Sequence, residues 1–513
     1  MRAKLLAAVA GLSTVAHALR VSPSGENLYT RHNVQAARDY HRSIGNVSEN
    51  FLGVPVNHFT TNNTNVQTYQ MRYLLDESHV QANDTYPPIL FYCGNEGDVW
   101  TFYNNSGFMT ATLPNLLNAV VLFGEHRYYG ESLPFGEQSF TKDNVKYLTL
   151  DQTFMDYQLL IKTIKDANPK YKYSPVFAFG GSYGGMLAAW MRMKFPHVIH
   201  GAHASSAPIM FFPGSVSPYA FNELVTRQWE KVKAGTKQSV FNGFMALKNF
   251  STDASKWETL DAIFNTCESI TLPEQVNLIG DMINNAIGTM QMVDYPYATD
   301  FLGSLPANPV NTTIGWMYGN VSAIATDMDY VRRLQVIINV FQNSTGQTNC
   351  TDISFSSVKK EAPGLDDNGW NYQVCNEMVM PIQQNGITDM FPKDLWNADA
   401  FVAGCKKSTG LNPQFDWALD TFGGRNPNKD FLHTTNIVFT NGDLDPWRAG
   451  GLLHEIPGNP NITVRLLEGG AHHLELRLPN EKDPEDVTEV RNLIEQLIVE
   501  WIRQYKQAPF PRE

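Results

Sequence analysis

Five short, continuous apolar runs in this chain each lead into a glycine-bearing loop, and this pattern constrains the fold more than any other. Pro88–Cys93 runs into Gly94-Asn95-Glu96-Gly97-Asp98, Ala119–Gly124 into Glu125-His126-Arg127-Tyr128-Tyr129-Gly130, and Pro175–Phe179 into Gly180-Gly181-Ser182. Near the C-terminus, Asn436–Thr440 runs into Asn441-Gly442, and Ile462–Leu467 into Glu468-Gly469-Gly470. Runs this short and mainly apolar read as strands, and the unbroken ones as strands buried on both faces, because a half-exposed strand would alternate. The stretch Leu150–Ala167 between the second and third runs has helical spacing, and so does a C-terminal stretch from about Pro484 to Tyr505 whose apolar positions include Val487, Val490, Leu493, Leu497, Val499 and Trp501. Strands alternating with helices predict a parallel sheet covered on both sides, an α/β fold. The middle of the chain, 209–430, lacks the strand-then-glycine punctuation and reads as helices with long polar connections. It is expected to be a helical cap inserted between one sheet part (49–208) and a second (431–513).

The N-terminus reads as an address. Arg2 and Lys4 precede the short apolar stretch Leu5–Val15, and Ala16-His17-Ala18 has the small-x-small form of a signal-peptidase site. Residues 1–18 are therefore expected to be a signal peptide and 19–48 a polar leader. No later apolar run reaches the ~18 residues a membrane helix needs, so no membrane partner is expected. Sequons start at Asn46, Asn62, Asn83, Asn104, Asn249, Asn311, Asn320, Asn343, Asn349 and Asn461, which fits a glycosylated protein of the secretory pathway. The charge of −12, from 39 Lys+Arg against 51 Asp+Glu, comes without basic runs and argues against nucleic-acid binding. The five cysteines, Cys93, Cys267, Cys350, Cys375 and Cys405, show no CxxC spacing, so no zinc or other metal site is expected. An odd count in an oxidising compartment allows at most two bridges.

The chemistry centres on Gly180-Gly181-Ser182-Tyr183-Gly184, a G-x-S-x-G sequence between a buried strand and the helix-compatible Tyr183–Lys194. Such a turn lifts the Ser182 hydroxyl off the sheet and aims the Tyr183 N–H at a developing oxyanion. A serine nucleophile needs a base and an orienting carboxylate, each on a loop after a later strand. Asp443 and Asp445 follow the fourth run, and His472 and His473 follow the fifth; spacing alone leaves both choices open. A second oxyanion donor is expected from the loop after the first run, at Gly94 or Asn95.

Longer motifs then become specific. Phe91–Asp98, Glu125–Pro134, Gly180–Met186, Asp294–Tyr297, Leu444–Trp447 and Gly470–Leu474 together resemble the serine peptidase family of lysosomal Pro-X carboxypeptidase and dipeptidyl peptidase II, over roughly residues 50–505. The resemblance implies an α/β-hydrolase domain with a large, mainly helical cap after the nucleophile, and a cofactor-free exopeptidase that cleaves after proline. It implies Ser182 as nucleophile, Asp445 as orienting carboxylate and His472 as base, with His473 and Arg477 accessory. It also implies a proline pocket from Met186, Met380 and Trp447, bridges Cys267–Cys350 and Cys375–Cys405, a buried free Cys93, a homodimer, a lysosomal or secreted location and an acidic optimum. The segment 294–310 looks more like dipeptidyl peptidase II, and Trp370–Gly386 more like the carboxypeptidase. An esterase, or a hydrolase-fold adhesion protein without activity, shares the fold; the intact Ser182, Asp445 and His472 argue against the latter.

Overall fold

The computed structural model describes residues 47–61, 66–321, 323–354 and 365–507. The expected signal peptide, all but the end of the leader, and Asn46 and Asn62 lie outside them. Eight strands form one sheet in the order β1-β2-β4-β3-β5-β6-β7-β8. They are β1 (Ser48–Pro55), β2 (Thr68–Asp76), β3 (Ile89–Cys93), β4 (Val120–Gly124), β5 (Val176–Gly181), β6 (Gly201–Ser205), β7 (Ile437–Gly442) and β8 (Ile462–Leu467). β2 runs antiparallel to both β1 and β4, and from β4 to β8 every neighbouring pair is parallel. This order and the single reversed strand are those of the α/β-hydrolase sheet. Every residue of β3, β4, β5, β6 and β7 is buried, as expected of strands with helices on both faces.

Among the helices, in chain order, are α1 (Val99–Asn105), α2 (Leu150–Ala167), α3 (Tyr183–Lys194), α4 (Ala220–Val232), α5 (Thr236–Ser251), α6 (Pro273–Met292), α7 (Pro309–Asn320), α8 (Asp327–Asn343), α9 (Leu365–Val374), α10 (Ala398–Ser408) and α11 (Glu485–Gln507). α2 and α3 coincide with the stretches expected from spacing. In α11 the buried face is Val487, Val490, Arg491, Ile494, Ile498 and Trp501, whereas Val499 is exposed. The true stripe steps by three and four residues, and Val499 falls off it.

Between the end of β6 at Ser205 and the start of β7 at Ile437 the described residues contain helices and connections but no strand of the sheet. α5 packs along α8 and α6 there. Two disulfides lie in this region, Cys267–Cys350 and Cys375–Cys405, and Cys93 is a free, buried thiol at the end of β3. Of the sequons on described residues, Asn83, Asn249, Asn311, Asn320, Asn349 and Asn461 are exposed, while Asn104 and Asn343 are partly buried. No described helix is long and apolar enough to cross a membrane.

Candidate active site

Ser182 stands between β5 and α3 with φ 58° and ψ −125°, a backbone state that costs an L-residue about 1–3 kcal/mol and persists only where its surroundings enforce it. The Ser182 N–H is held by the Ser205 carbonyl at 2.9 Å, and its own carbonyl accepts the Met186 N–H at 3.0 Å to start α3. The small neighbours serve close approach: a methyl group at Gly184 would strike the Asn95 side-chain oxygen. The Ser182 hydroxyl is buried and has no hydrogen-bond partner among the described residues.

The adjoining loop is tied to this turn. The Asn95 amide donates to the Gly181 carbonyl at 2.8 Å, and its oxygen accepts the Tyr92 hydroxyl at 3.0 Å. The Gly94 N–H, expected as an oxyanion donor, instead donates to the Gly124 carbonyl at 3.1 Å. The ladder between β3 and β4 runs one residue past the apolar run and consumes that amide, which leaves Asn95 as the other candidate in this loop.

Tyr183 is held by its hydroxyl as well as by its place at the start of α3. It donates to His126 Nε2 at 3.0 Å and accepts from the Gln373 amide of α9 at 2.7 Å. Burial lowers the His126 pKa to about 4, so the ring is neutral. Its Nδ1 faces the Arg127 carbonyl at 2.7 Å and must carry the proton, which leaves Nε2 as the acceptor.

Of the two aspartates, Asp443 is half-buried and accepts the Gly469 N–H at 2.8 Å, bracing the loop after β8. Asp445 is fully buried. One of its oxygens accepts the Trp447 N–H at 2.9 Å and the other meets His472 Nδ1 at 2.7 Å. With Nδ1–H pointing at the carboxylate, His472 Nε2 is left as a proton acceptor. It is buried without a hydrogen-bond partner among the described residues, as the Ser182 hydroxyl is.

His473 takes the left-handed conformation, φ 39°, and its N–H donates to the Ser206 hydroxyl at 2.8 Å. Its ring lies 4.5 Å from that of His472 and so close to Gly181 that a methyl group there would meet ring carbon Cδ2 at 2.9 Å. The histidine pair thus borders the nucleophile turn. Burial, with the neighbouring His472 and Arg477, drives the His473 pKa well below that of a free imidazole. The Arg477 guanidinium stacks 4.6 Å over Tyr295 and 5.8 Å from Phe301, and hydrogen-bonds Asn105 at 3.0 Å.

Met186, Met380 and Trp447 are all buried. Trp447 packs edge-on against Phe211 and Phe221, at 5.5 and 4.9 Å, and its indole N–H points at the Met292 sulfur at 3.2 Å. Sequence reasoning had no role for the His126–Tyr183–Gln373 chain or for Tyr295, whose hydroxyl donates to the His472 carbonyl at 2.9 Å. The run Asp294–Tyr297 signalled Tyr295 only as part of a family motif.

The model of the serine carboxypeptidase S28 family matches residues 55–494. The human lysosomal Pro-X carboxypeptidase is 38% identical over 463 residues, 90% of this chain and 89% of its own length. The mouse lysosomal Pro-X carboxypeptidase is 37% identical over 439 residues, 85% of this chain and 86% of its own. A Caenorhabditis elegans protein described as putative serine protease pcp-1 is 34% identical over 497 residues, covering 91% and 85%.

Proposed function

The chain belongs to the serine carboxypeptidase S28 family and is a serine-type peptidase, and from that premise we propose that it is an exopeptidase that cleaves after proline, working as a Pro-X carboxypeptidase through Ser182, His472 and Asp445. The observation that carries this reading is the buried 2.7 Å contact between His472 Nδ1 and Asp445 beside a serine in strained backbone at a helix N-terminus. Ser182 Oγ attacks the carbonyl carbon of the proline residue, and its proton passes to His472 Nε2. Asp445 holds the imidazole in register and stabilises the imidazolium. The N–H groups of Tyr183 and Asn95 take the developing oxyanion. His472 then returns the proton to the leaving amine as the C–N bond breaks, leaving an acyl ester on Ser182. Water, deprotonated by the same histidine, releases the proline-ended product and restores the hydroxyl.

Met186, Met380 and Trp447 supply the compact apolar surface that a pyrrolidine ring needs. His473, kept neutral, and Arg477, held on Tyr295, form the wall beside the triad. The carboxypeptidase assignment is supported by the Pro-X carboxypeptidases at 36–38% identity and by the likeness of Trp370–Gly386. The same relatives support a lysosomal or secretory-pathway location, and the family resemblance points to an acidic optimum and a homodimer, which a pH profile and light scattering would test. The deciding experiment pairs an N-blocked peptide ending in Pro-X with a free-amine X-Pro reporter. Turnover of the first alone is expected; turnover of the second alone would make the protein a dipeptidyl peptidase, and loss of neither on Ser182→Ala would remove the triad assignment.

A further inference from the structure

The end of one cap helix holds both loops that carry the base and its carboxylate. At the C-terminus of α6, the Gln291 side-chain amide donates to the Leu444 carbonyl at 2.7 Å, one residue ahead of Asp445. The next residue, Met292, accepts the His472 N–H on its carbonyl at 2.9 Å, and its sulfur receives the Trp447 indole N–H at 3.2 Å. Three residues on, the Tyr295 hydroxyl donates to the His472 carbonyl at 2.9 Å. The backbone N–H and C=O of His472 are therefore both pinned by the cap, and so is the peptide that leads into Asp445. A second cap helix adds to this grip: the Gln228 amide of α4 donates to the Asp443 carbonyl at 3.1 Å. Within the sheet domain the two loops are also joined directly, by the Leu444 N–H to the Gly470 carbonyl at 2.9 Å, by the Gly469 N–H to the Asp443 side chain at 2.8 Å and by the His472–Asp445 contact itself.

We infer that Gln291 is a positioning residue for catalysis, through which the cap sets the register of Asp445 against His472; this rests on the assignment of those two residues to the triad. Gln291 is fully buried, so nothing from solvent replaces its donated bond if the side chain is changed. Its oxygen has no hydrogen-bond partner among the described residues, so within them the side chain is held to the Leu444 carbonyl by its nitrogen. A misplacement of about 1 Å in such a pair costs on the order of 100-fold in rate. The geometry also makes cap placement and triad geometry one event, because a cap displaced from the sheet carries α6 away from both loops.

The test compares Gln291→Met and Gln291→Glu with the wild type on a small proline substrate, with Ser182→Ala as the control. Gln291→Met, of similar shape without a donor, is expected to lower kcat about 10- to 100-fold with KM within about twofold. It should slow fluorophosphonate labelling of Ser182 by a similar factor. Gln291→Glu can donate to Leu444 only while protonated, so its kcat relative to wild type should be highest at acid pH and fall as pH rises. That profile is not expected of a residue that merely fills space, and it needs only the glutamate variant to fold. Unchanged kcat in Gln291→Met, a loss carried by KM, or a flat glutamate-to-wild-type ratio across pH would each overturn the inference. Residual labelling of Ser182→Ala would instead overturn the triad itself, so the two failures are told apart.

Discussion

Replacing Glu377 with glutamine should make the protein more stable at pH 8 and leave it nearly unchanged at pH 5. Glu377 follows α9, two residues beyond Cys375 of the Cys375–Cys405 bridge, and is buried. One of its oxygens accepts the N–H of Leu150, the first residue of α2, at 2.9 Å. Burial pushes its pKa up to about 8, against the pull of that amide and with some help from Asp151. In the unfolded chain the same carboxyl titrates near 4.3. Between those values the folded state keeps a proton that the unfolded state releases. Stability from this group is therefore complete below about pH 4 and is lost as pH rises towards 8. At about 1.4 kcal/mol per pH unit the ceiling is roughly 5 kcal/mol; the higher effective dielectric of real interiors brings the expected figure to on the order of 2–3 kcal/mol. Glutamine keeps an acceptor for Leu150 and cannot ionise.

The assay is urea unfolding of both proteins, disulfides intact, followed by tryptophan fluorescence at pH 5, 6, 7 and 8. The difference between variant and wild type should open steadily above pH 5. Asp294, pushed by burial to about 7, tilts the wild-type curve the same way. His126 and His200, lowered by burial to about 4, tilt it oppositely as pH falls below their ordinary value near 6.5. The paired comparison cancels all three. Parallel curves from pH 5 to 8 would show that Glu377 is ionised throughout, and that the helix N-terminus outweighs burial at this site.

Other substitutions test the site. His472→Ala should lower turnover by several orders of magnitude, and His473→Ala by much less; the opposite ranking would exchange their roles. Gly184→Ala should fold but lose most activity, since its methyl group must displace the Asn95 side chain that ties the oxyanion loop to Gly181; wild-type kcat would show that this loop is not part of the reaction. Trp447→Ala should cost about 3–5 kcal/mol of stability as a buried large-to-small change and weaken discrimination of proline from bulkier residues. An unchanged preference would place Trp447 in the core and outside the pocket.

What the sequence shows of this fold depends on how each element is buried. β3, β4, β5 and the start of β7 announce themselves because the surrounding layers demand unbroken apolar runs, whereas β8 at the sheet edge is interrupted by Thr463 and Arg465 and is only half buried. β6, Gly201-Ala202-His203-Ala204-Ser205, is buried throughout yet made of small and polar residues. Its room is taken up by neighbours: the Trp501 ring fills the space where a side chain at position 201 would lie, and Ser205 and His203 contact Glu475. β1 is an exposed edge, and β2 carries Arg72, a charge that would argue against a buried strand until Glu125 and Asp98 are placed beside it. The site divides the same way. Ser182 is legible because it stands directly after a recognisable strand, whereas the same local pattern nominates Asp443 together with Asp445 and His472 together with His473, and only the family resemblance selects Asp445 and His472. Gln291 and Tyr295 act on Leu444 and His472 across 153 and 177 residues of chain, and no local pattern encodes a contact closed at that distance. The grip of residues 209–430 on the loops of the proposed triad is thus unreadable in the sequence, because it is made by two side-chain amides and one hydroxyl arriving at backbone carbonyls, and by a backbone carbonyl accepting the His472 N–H, groups that no motif records.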